Sequence, residues 1–575
     1  MARSPLLRQI ARAFSTVRRA RARGVAPIEQ MEMDREARAA RRVSRRTMLG
    51  AAAAGAALAA LPGCEEDAIG TPAAGPIVIV GGGMAGLHCA YRLAEQGFAS
   101  TVYEAASRVG GRMYTDRATF PDDQHCELGG ELIDTGHTTM LDLAEELGIE
   151  LYDYDEDDAS LETLVAFIAG AKLTMAEILE GFAPIAAKID EALATLTDQE
   201  DLYVYYNNPN GGEALDAMSL TDWFDSIGAE GPVRTLLEVA YNIEYGLEPD
   251  VTNALNMIFL ISTSTEEFEA FGDSDERFHA KDGNDTFITA LADSLDPAQI
   301  ELEAQLVALN ERADGTYVLT FDRGGSSFEV GAGHVVLALP FTKLRQVETN
   351  LAWSESKALA INELGYGTNA KLMVGFSSRP WRSTHGSNGE TFSDLPFQST
   401  WETSRLQPGD SGIITNFTGG GPGVAAGVGT PQERAADFLN QFEQLFPGAK
   451  AAANGAVARF HWPTYPLTLG SYSAYKVGQY TTITGVEIER HRNIHFAGEH
   501  TSLDAQGYME GAALTGAMAA EEIGADLSPA EKEPQAWGSA GGAVVGPAER
   551  IRLRAALTRA HRRHRLALRR LARGR

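Results

Sequence analysis

The spacing of apolar residues changes along the chain, and these changes predict a fold of mixed strands and helices. Ile77–Val80 is a continuous apolar run, which is typical of a buried strand. Residues 87–96 place apolar side chains at helical intervals, and Ser100–Tyr103 forms a second short apolar segment. The order strand, turn, helix, strand predicts a βαβ unit of an α/β domain.

Three glycines occupy the turn between the first strand and the helix. Gly81 permits a tight turn, Gly83 lets the backbone approach a pyrophosphate, and Gly86 lets the helix pack closely on the strand. The N–H groups at the start of the helix would face the phosphates. Glu104 follows the second strand, where a βαβ unit places its ribose-binding carboxylate. The sequence therefore predicts a dinucleotide site.

The residues after Glu104 indicate which dinucleotide is bound. Arg108, Gly110, Gly111 and Arg112 form the pattern E-x-x-x-R-x-G-G-R with that glutamate. Here the chain resembles the flavin-dependent amine oxidase family, of the monoamine oxidase type. The resemblance implies that FAD is the cofactor, that the glycines pass close to it and that the arginines meet its phosphates.

Later segments extend the resemblance to the rest of the cofactor site. It implies that Gly129 and Gly130 pass beside the flavin ring and that Val307 meets the adenine side. Residues 494–519 match the family's C-terminal FAD motif, with Glu499 set to bind ribityl or phosphate-linked groups. The other cofactor contacts that we expect from this resemblance are Glu131, Gly498, Tyr508 and Met509.

Three residues are candidates for catalysis. Lys371 stands alone in an alternating segment, before Pro380 and Trp381. The family has a lysine at this distance, which contacts flavin N5 through a water; the alternative is a lysine that protects an edge strand from aggregation. Tyr472 and Tyr508 fall where monoamine oxidases have paired tyrosines, whose faces attract and orient an amine.

Three further positions bear on the substrate and on cofactor attachment. Asp134 lies where polyamine oxidases carry an acid facing the substrate; the alternative is a surface turn. Leu132 replaces the arginine with which L-amino-acid oxidases hold a substrate carboxylate. Ser471 replaces the cysteine that carries covalent flavin in mammalian enzymes, so we expect FAD to be bound non-covalently.

The resemblance covers residues 76–525 and implies a two-domain α/β fold, with a Rossmann-like FAD domain and an inserted α+β substrate domain. We place the FAD domain at 76–152, 271–345 and 456–525, and the substrate domain at 153–270 and 346–455. The remaining ranges are an export signal at 1–64, a linker at 65–75, and a linker with an Arg-rich tail at 526–575.

The two ends of the chain differ in charge from its centre. The net charge is −29, although the first 46 residues carry +9 and the last 26 carry +11. Arg45 and Arg46 before an apolar run predict a twin-arginine export signal and a periplasmic or extracellular location. Membrane association has two candidate routes, lipidation at Cys64 and the basic tail, for which a solvated tail is the alternative.

We expect an enzyme that oxidises a small amine to an imine and passes the electrons to oxygen, giving hydrogen peroxide. The alternatives are an L-amino-acid oxidase, a flavin dehydrogenase or desaturase for a non-amine substrate, and a non-catalytic exported flavoprotein. The three cysteines, Cys64, Cys89 and Cys126, predict no disulfide framework and no metal site. A nucleic-acid partner is not expected, and the oligomeric state is left open.

Overall fold

A computed structural model describes residues 75–199 and 202–528. The strands, in chain order, are β1 (Ile77–Val80), β2 (Ser100–Tyr103), β3 (Thr115–Asp116), β4 (Cys126–Glu127), β5 (Leu151–Asp153), β6 (Val165–Ile168), β7 (Ala171–Leu173), β8 (Phe278–Ala280), β9 (Ile300–Glu301), β10 (Gln305–Glu311), β11 (Tyr317–Arg323), β12 (Ser326–Ala332), β13 (His334–Leu337), β14 (Glu348–Thr349), β15 (Ala370–Phe376), β16 (Thr391–Ser393), β17 (Ser399–Glu402), β18 (Gly412–Thr418), β19 (Ala453–His461) and β20 (Ile494–Phe496).

The α-helices, in the same order, are α1 (Met84–Glu95), α2 (Thr138–Leu147), α3 (Met175–Leu193), α4 (Glu213–Asp216), α5 (Leu220–Ser226), α6 (Pro232–Tyr245), α7 (Ala254–Leu260), α8 (Asp285–Asp293), α9 (Phe341–Leu344), α10 (Glu355–Glu363), α11 (Pro380–Ser383), α12 (Gly420–Ala426), α13 (Pro431–Leu445), α14 (Ala449–Ala452) and α15 (Met509–Leu527).

A five-stranded parallel sheet, in the order β20-β13-β1-β2-β9, forms one centre of the fold. Its strands come from three separated stretches of sequence, as expected for a Rossmann-like domain that is interrupted by insertions. All four residues of β1 are buried, because both faces of the sheet are covered. Helices α1 and α15 pack against each other where a Cβ on Gly516 would lie 2.3 Å from the Ala85 carbonyl oxygen.

A seven-stranded mixed sheet, in the order β19-β15-β18-β17-β16-β6-β7, forms the second centre. Helix α6 belongs to this part of the chain. It begins with Pro232 in its first turn and ends at Gly246, whose left-handed conformation (φ 66°) suits glycine. These end signals fix where the last residues of α6, including Glu244, enter the protein interior.

The sequence predicted many elements, but two details of the fold differ from expectation. The single strand expected over 300–309 is two strands, β9 and β10, which belong to different sheets. Strand β19 pairs with β15 and runs across residue 455, where we placed a domain boundary.

The helix expected before Gly148 ends there, with that glycine in the left-handed conformation (φ 71°).

The predicted export signal, Cys64, the Arg-rich tail and nearly all of the two linkers lie outside the described residues. Within the described ranges, no helix combines the length and the apolar character that crossing a membrane requires.

Candidate active site

The glycine turn after β1 has the geometry of a phosphate cradle. Gly81 has a φ of 109°, and a Cβ on Gly86 would lie 1.9 Å from the Gly81 carbonyl oxygen. A Cβ on Gly83 would meet nothing nearer than the Gly110 oxygen at 4.0 Å, so this side of the turn is open. Helix α1 begins at Gly83 without a side-chain cap, which leaves its first N–H groups available to an anion.

Glu104 lies at the end of β2 and fixes the turn. Its two carboxylate oxygens accept hydrogen bonds from the Gly82 N–H at 2.7 Å and from the Ala106 N–H at 2.8 Å. Each oxygen retains a second lone pair for a ligand hydroxyl. The residue predicted to bind ribose therefore also orders the loop beside it.

Arg108 and Val307 are two further residues that we expect to contact the cofactor. Arg108 donates hydrogen bonds to the Val109 and Gly111 carbonyls, at 3.0 and 2.8 Å, and lies over the Tyr114 ring at 3.8 Å. The pairing of β10 with β11 shifts register between Leu306 and Ala308, so Val307 has no partner in that ladder.

The half-buried Arg112 and the buried Glu499 form an ion pair that joins the second and third predicted cofactor motifs. The Arg112 guanidinium donates to Glu499 Oε1 and to the Ser471 carbonyl oxygen, both at 2.8 Å. Glu499 also accepts hydrogen bonds from the Ser473 hydroxyl at 2.7 Å and from the Gly507 N–H at 3.0 Å. Burial opposes the charge of Glu499, but Arg112, His500 and these donors hold its pKa below its usual range.

Lys371 and Glu131 form a second buried ion pair, beneath the Gly129–Gly130 loop. The Lys371 ammonium donates to Glu131 Oε2 at 2.7 Å, to the Gly129 oxygen at 2.8 Å and to the Glu127 oxygen at 3.2 Å. The other oxygen of Glu131 accepts from Trp401 and Thr403 at 2.9 and 2.8 Å. Burial opposes ionisation of Glu131, yet Lys371 in particular holds its pKa below the ordinary value.

The position of Lys371 excludes the edge-strand explanation, because β15 lies between β19 and β18 inside the sheet. All three ammonium hydrogens of Lys371 have protein acceptors, two of them backbone carbonyls of the loop before Gly130. The lysine therefore holds this loop in place. On the other side of the loop, a Cβ on Gly130 would lie 2.8 Å from the Met509 side chain.

Tyr472 and Tyr508 both donate their hydroxyl hydrogens to Glu244 at the end of α6. The Tyr508 hydroxyl donates to Glu244 Oε1 at 2.9 Å, and the Tyr472 hydroxyl donates to the Glu244 carbonyl oxygen at 2.5 Å. A Cβ on Gly507 would lie 3.3 Å from the Tyr472 ring, so the chain before Tyr508 passes beside that ring. The structure thus brings the two predicted tyrosines together.

The tyrosines are fixed from both ends. Glu499 binds the backbone N–H groups of Ser473 and Gly507, which are the neighbours of Tyr472 and Tyr508 in sequence. Glu244 holds the two hydroxyls at the opposite ends of the side chains. The buried carboxylate of Glu499 at one end and Glu244 at the other therefore define where both rings lie.

Asp134 is a buried residue with protein partners rather than part of an exposed turn. Its carboxylate accepts a hydrogen bond from the Glu276 N–H at 3.0 Å and lies 3.3 Å from His137 Nε2. The His137 ring packs against the Tyr508 ring, with centroids 5.1 Å apart. Asp134 therefore reaches the tyrosine pair through His137.

Sequence reasoning missed Glu244 and Glu276. Burial raises the pKa of Glu244 to about 7. Although Glu276 as a whole residue is exposed, desolvation of its carboxyl group, with the neighbouring carboxylates Glu390 and Asp134, raises its pKa well above the ordinary value. Glu276 adopts a φ of 42°, which is unusual for a residue other than glycine, and this strained residue lies beside the site. Nothing in the local pattern around either glutamate marked it, because each resembles a solvated acid.

One buried group has the composition of a metal site, although no metal was predicted. His125, Glu127 and His279 converge within the described part of the chain. Glu127 already accepts hydrogen bonds from Thr115, from His279 Nε2 at 3.1 Å and from the Asn284 N–H at 2.8 Å. These hydrogen bonds explain why the three residues converge, because they form a network that connects β4 and β8.

Comparison with known proteins shows the family of this chain. The chain matches the model of the flavin containing amine oxidoreductase family over residues 84–524. It is 26% identical over 464 residues to a putative flavin-containing monoamine oxidase, AofH, of Mycobacterium tuberculosis, covering 78% of this chain and 97% of that protein. It is 23% identical over 463 residues to a putative L-amino-acid oxidase, YobN, of Bacillus subtilis, covering 78% and 94%.

Solved structures show the same fold. Cyclohexylamine oxidase from Brevibacterium oxydans superposes with a TM-score of 0.67 at 22% identity, covering 79% of this chain and 99% of that one. Wild-type putrescine oxidase bound to putrescine gives 0.66 at 19% identity, covering 78% and 99%. The cofactor cradle, the buried lysine and the tyrosine pair thus occur in a fold that amine oxidases share. Because the family match spans most of the chain, this protein belongs to the flavin-containing amine oxidoreductases.

Proposed function

We propose that the protein oxidises a cationic amine with FAD as hydride acceptor and molecular oxygen as final electron acceptor, giving an imine and hydrogen peroxide. Water then hydrolyses the imine to a carbonyl compound. The cofactor supplies the oxidation itself, so the protein has to bind the amine, orient its α-carbon and exclude water.

One observation carries this proposal: two tyrosines lie between the cofactor-side carboxylate Glu499 and the substrate-side carboxylate Glu244. Their rings offer apolar faces that attract a cation, and the adjacent Glu244 complements its charge. Glu276 adds a second acidic group near the same place. No side-chain nucleophile is required for this chemistry.

The cofactor residues fit FAD. The open face at Gly83 and the uncapped start of α1 suit a pyrophosphate, and Glu104 lies beside that turn. We propose that FAD is held non-covalently, because Ser471 cannot form a thioether and its hydroxyl donates to Asn369 at 2.7 Å. Denaturation should release FAD into the supernatant. Flavin that stays with the denatured polypeptide would refute this attachment.

An L-amino acid is the second candidate substrate, and Arg405 is the observation that favours it. A substrate carboxylate needs a cationic partner, and Leu132 provides none. Arg405 lies over the Tyr154 ring at 4.6 Å, pairs with Asp157 only at 3.8 Å and interacts with Glu276. Arg405→Met should therefore weaken the use of amino acids but not of amines, if amino acids are used at all.

A peroxide and oxygen-uptake assay separates these candidates. Purified yellow protein should consume oxygen and form equal amounts of peroxide with at least one monoamine, diamine or polyamine. Faster turnover of a free amino acid than of its decarboxylated amine would replace the amine proposal with the amino-acid one. Flavin reduction by amines without oxygen uptake would indicate a dehydrogenase that uses another acceptor.

We also propose export by the twin-arginine route, which carries folded proteins and suits an enzyme that acquires its cofactor before export. Replacing both Arg45 and Arg46 by lysine should retain the yellow protein in the cytoplasm. Unchanged export of that variant would point to a different signal.

A further inference from the structure

We propose that Glu244 accepts the proton that an amine substrate must lose before hydride transfer, with its Oε2 atom as the acceptor. This inference rests on the proposed amine oxidation. The step converts an alkylammonium and a carboxylate into a neutral amine and a carboxylic acid, so its charges and protons balance. It leaves a nitrogen lone pair, which hydride loss from the neighbouring carbon requires.

The need for an acceptor follows from the chemistry of the substrate. An alkylamine resembles the lysine side chain, with a pKa near ~10.4, and arrives at neutral pH as the ammonium ion. An ammonium nitrogen has no lone pair with which to stabilise the carbon that loses hydride. If the ammonium form is the one that binds, a group near the tyrosines has to take its proton.

The hydrogen bonds of Glu244 leave it one free acceptor atom. Its Oε1 takes the hydrogen of Tyr508, and its backbone oxygen takes that of Tyr472. Its Oε2 accepts no hydrogen bond from any residue within 75–199 or 202–528, and the side chain is only half-buried. The carboxylate that binds Tyr508, on the residue whose backbone binds Tyr472, thus keeps one oxygen open.

The other polar groups near the tyrosines are already engaged. Lys371 is a cation with three acceptors, and both tyrosine hydroxyls act as donors. Both nitrogens of His137 face Asp134, one its backbone N–H at 2.9 Å and one its carboxylate. Glu276 is the rival, but removal of its carboxyl group from bulk water and the neighbouring carboxylates raise its pKa well above the ordinary value, which favours its protonated form.

The surroundings of Glu244 also suit the transfer. The titratable groups that face it are Tyr241, Tyr245, Tyr472, Tyr508, Asp134 with its partner His137, and Glu276. Burial raises the pKa of Glu244 to about 7, the Tyr508 hydrogen bond opposes this rise and Asp134 adds to it. A proton acceptor is most effective when its pKa lies near the working pH.

The test compares Glu244→Gln with wild type by anaerobic flavin reduction, with two amines and across pH. One amine is a simple alkylamine; the other carries fluorine atoms near the nitrogen, so that it is mostly neutral at pH 7. We expect the variant to reduce flavin about ten- to a hundredfold more slowly than wild type with the alkylamine at pH 7. With the fluorinated amine the two proteins should agree within about threefold, and raising the pH should restore the alkylamine rate.

Two further variants keep the test decisive. Glu238→Gln changes a glutamate on the same helix that pairs with Arg234 at the surface, and it should behave as wild type. Tyr508→Phe removes the hydrogen bond that lowers the pKa of Glu244, so the pH at which the alkylamine rate rises should move upward. This second variant supplies the answer even if Glu244→Gln folds poorly.

The outcomes are distinct. An equal loss with both amines at every pH would show that Glu244 only positions Tyr508, and no loss would exclude it from the reaction. If Glu276→Gln rather than Glu244→Gln removed the pH dependence of flavin reduction, Glu276 would be the proton acceptor. Failure of wild type to reduce its flavin with any amine would contradict the proposed function rather than the role of Glu244.

Discussion

Two glutamates bound to the same tyrosine segments have pKa values that are shifted in opposite directions. Glu499, on the cofactor side, binds Arg112, Ser473 and Gly507, and its pKa lies below the usual range. Glu244, on the side where we propose that the substrate binds, receives one side-chain hydrogen bond, and its pKa is raised to about 7. A carboxylate whose hydrogen bonds are satisfied stabilises the fold, whereas one left partly unpaired is available to a ligand.

The largest expected effect is on the cofactor side, in Lys371→Met. Removing the ammonium leaves Glu131 as an unpaired charge whose side chain is only 3% exposed. We expect a loss of about 3–5 kcal/mol in the free energy of unfolding and slower flavin reduction. Urea unfolding checks the stability, and the double variant with Glu131→Gln should recover part of the loss.

Lys281→Met is the matched control, because Lys281 is 42% exposed and pairs with the exposed Glu150. Its free energy of unfolding should change by less than about 1 kcal/mol. Equal losses in the two lysine variants would show that burial of the Lys371–Glu131 pair has no energetic consequence.

The next effect tests the phosphate cradle through Gly86→Ala. The new Cβ would lie 1.9 Å from the Gly81 oxygen, and this obstacle is backbone. We expect a loss of about 3 kcal/mol and a lower flavin content, measured from the absorbance of the purified protein. Gly331→Ala is the control, since its Cβ would meet only the Arg312 side chain at 3.4 Å. Full flavin content in Gly86→Ala would contradict the cradle.

The next effect is on the pH dependence of stability, and it concerns Glu244. The pKa of Glu244 rises from 4.5 to about 7 on folding, so its contribution is present below pH 4.5 and is lost as the pH rises through 7. Glu244→Gln should therefore gain about 2 kcal/mol relative to wild type between pH 5 and pH 8. Unfolding at both pH values checks this, with Glu238→Gln as control. An unchanged difference would mean that Glu244 titrates normally.

The smallest expected effect is that of Tyr472→Phe. It removes the hydroxyl bonds to the Glu244 and Ile243 carbonyls but keeps the ring. We expect about 1 kcal/mol of lost stability and little change in amine affinity, because the ring face carries the attraction. Tyr472→Ala should weaken the apparent binding of amines much more. Similar amine affinities in both variants would exclude a role for the ring.

The contrast between these two parts of the site also explains which residues could be predicted from the sequence. The cofactor side depends on contiguous motifs, so Gly81, Gly86 and Glu104 could be assigned from spacing and backbone chemistry. Alternation predicted the strand of Lys371 but not its place inside the sheet, because neighbouring strands come from elsewhere in the chain. Glu244 escaped notice because its partner Tyr508 is 264 residues away, and no local pattern records such a contact.

The central claim is that the tyrosine pair and Glu244 form an amine site next to a flavin. Its most direct test is rapid anaerobic mixing of the purified yellow protein with matched amines and amino acids, followed by the flavin absorbance. We expect that an amine bleaches the flavin within the time of a single turnover, and faster than the corresponding amino acid does. A flavin that no amine bleaches, or that amino acids bleach faster, would contradict it.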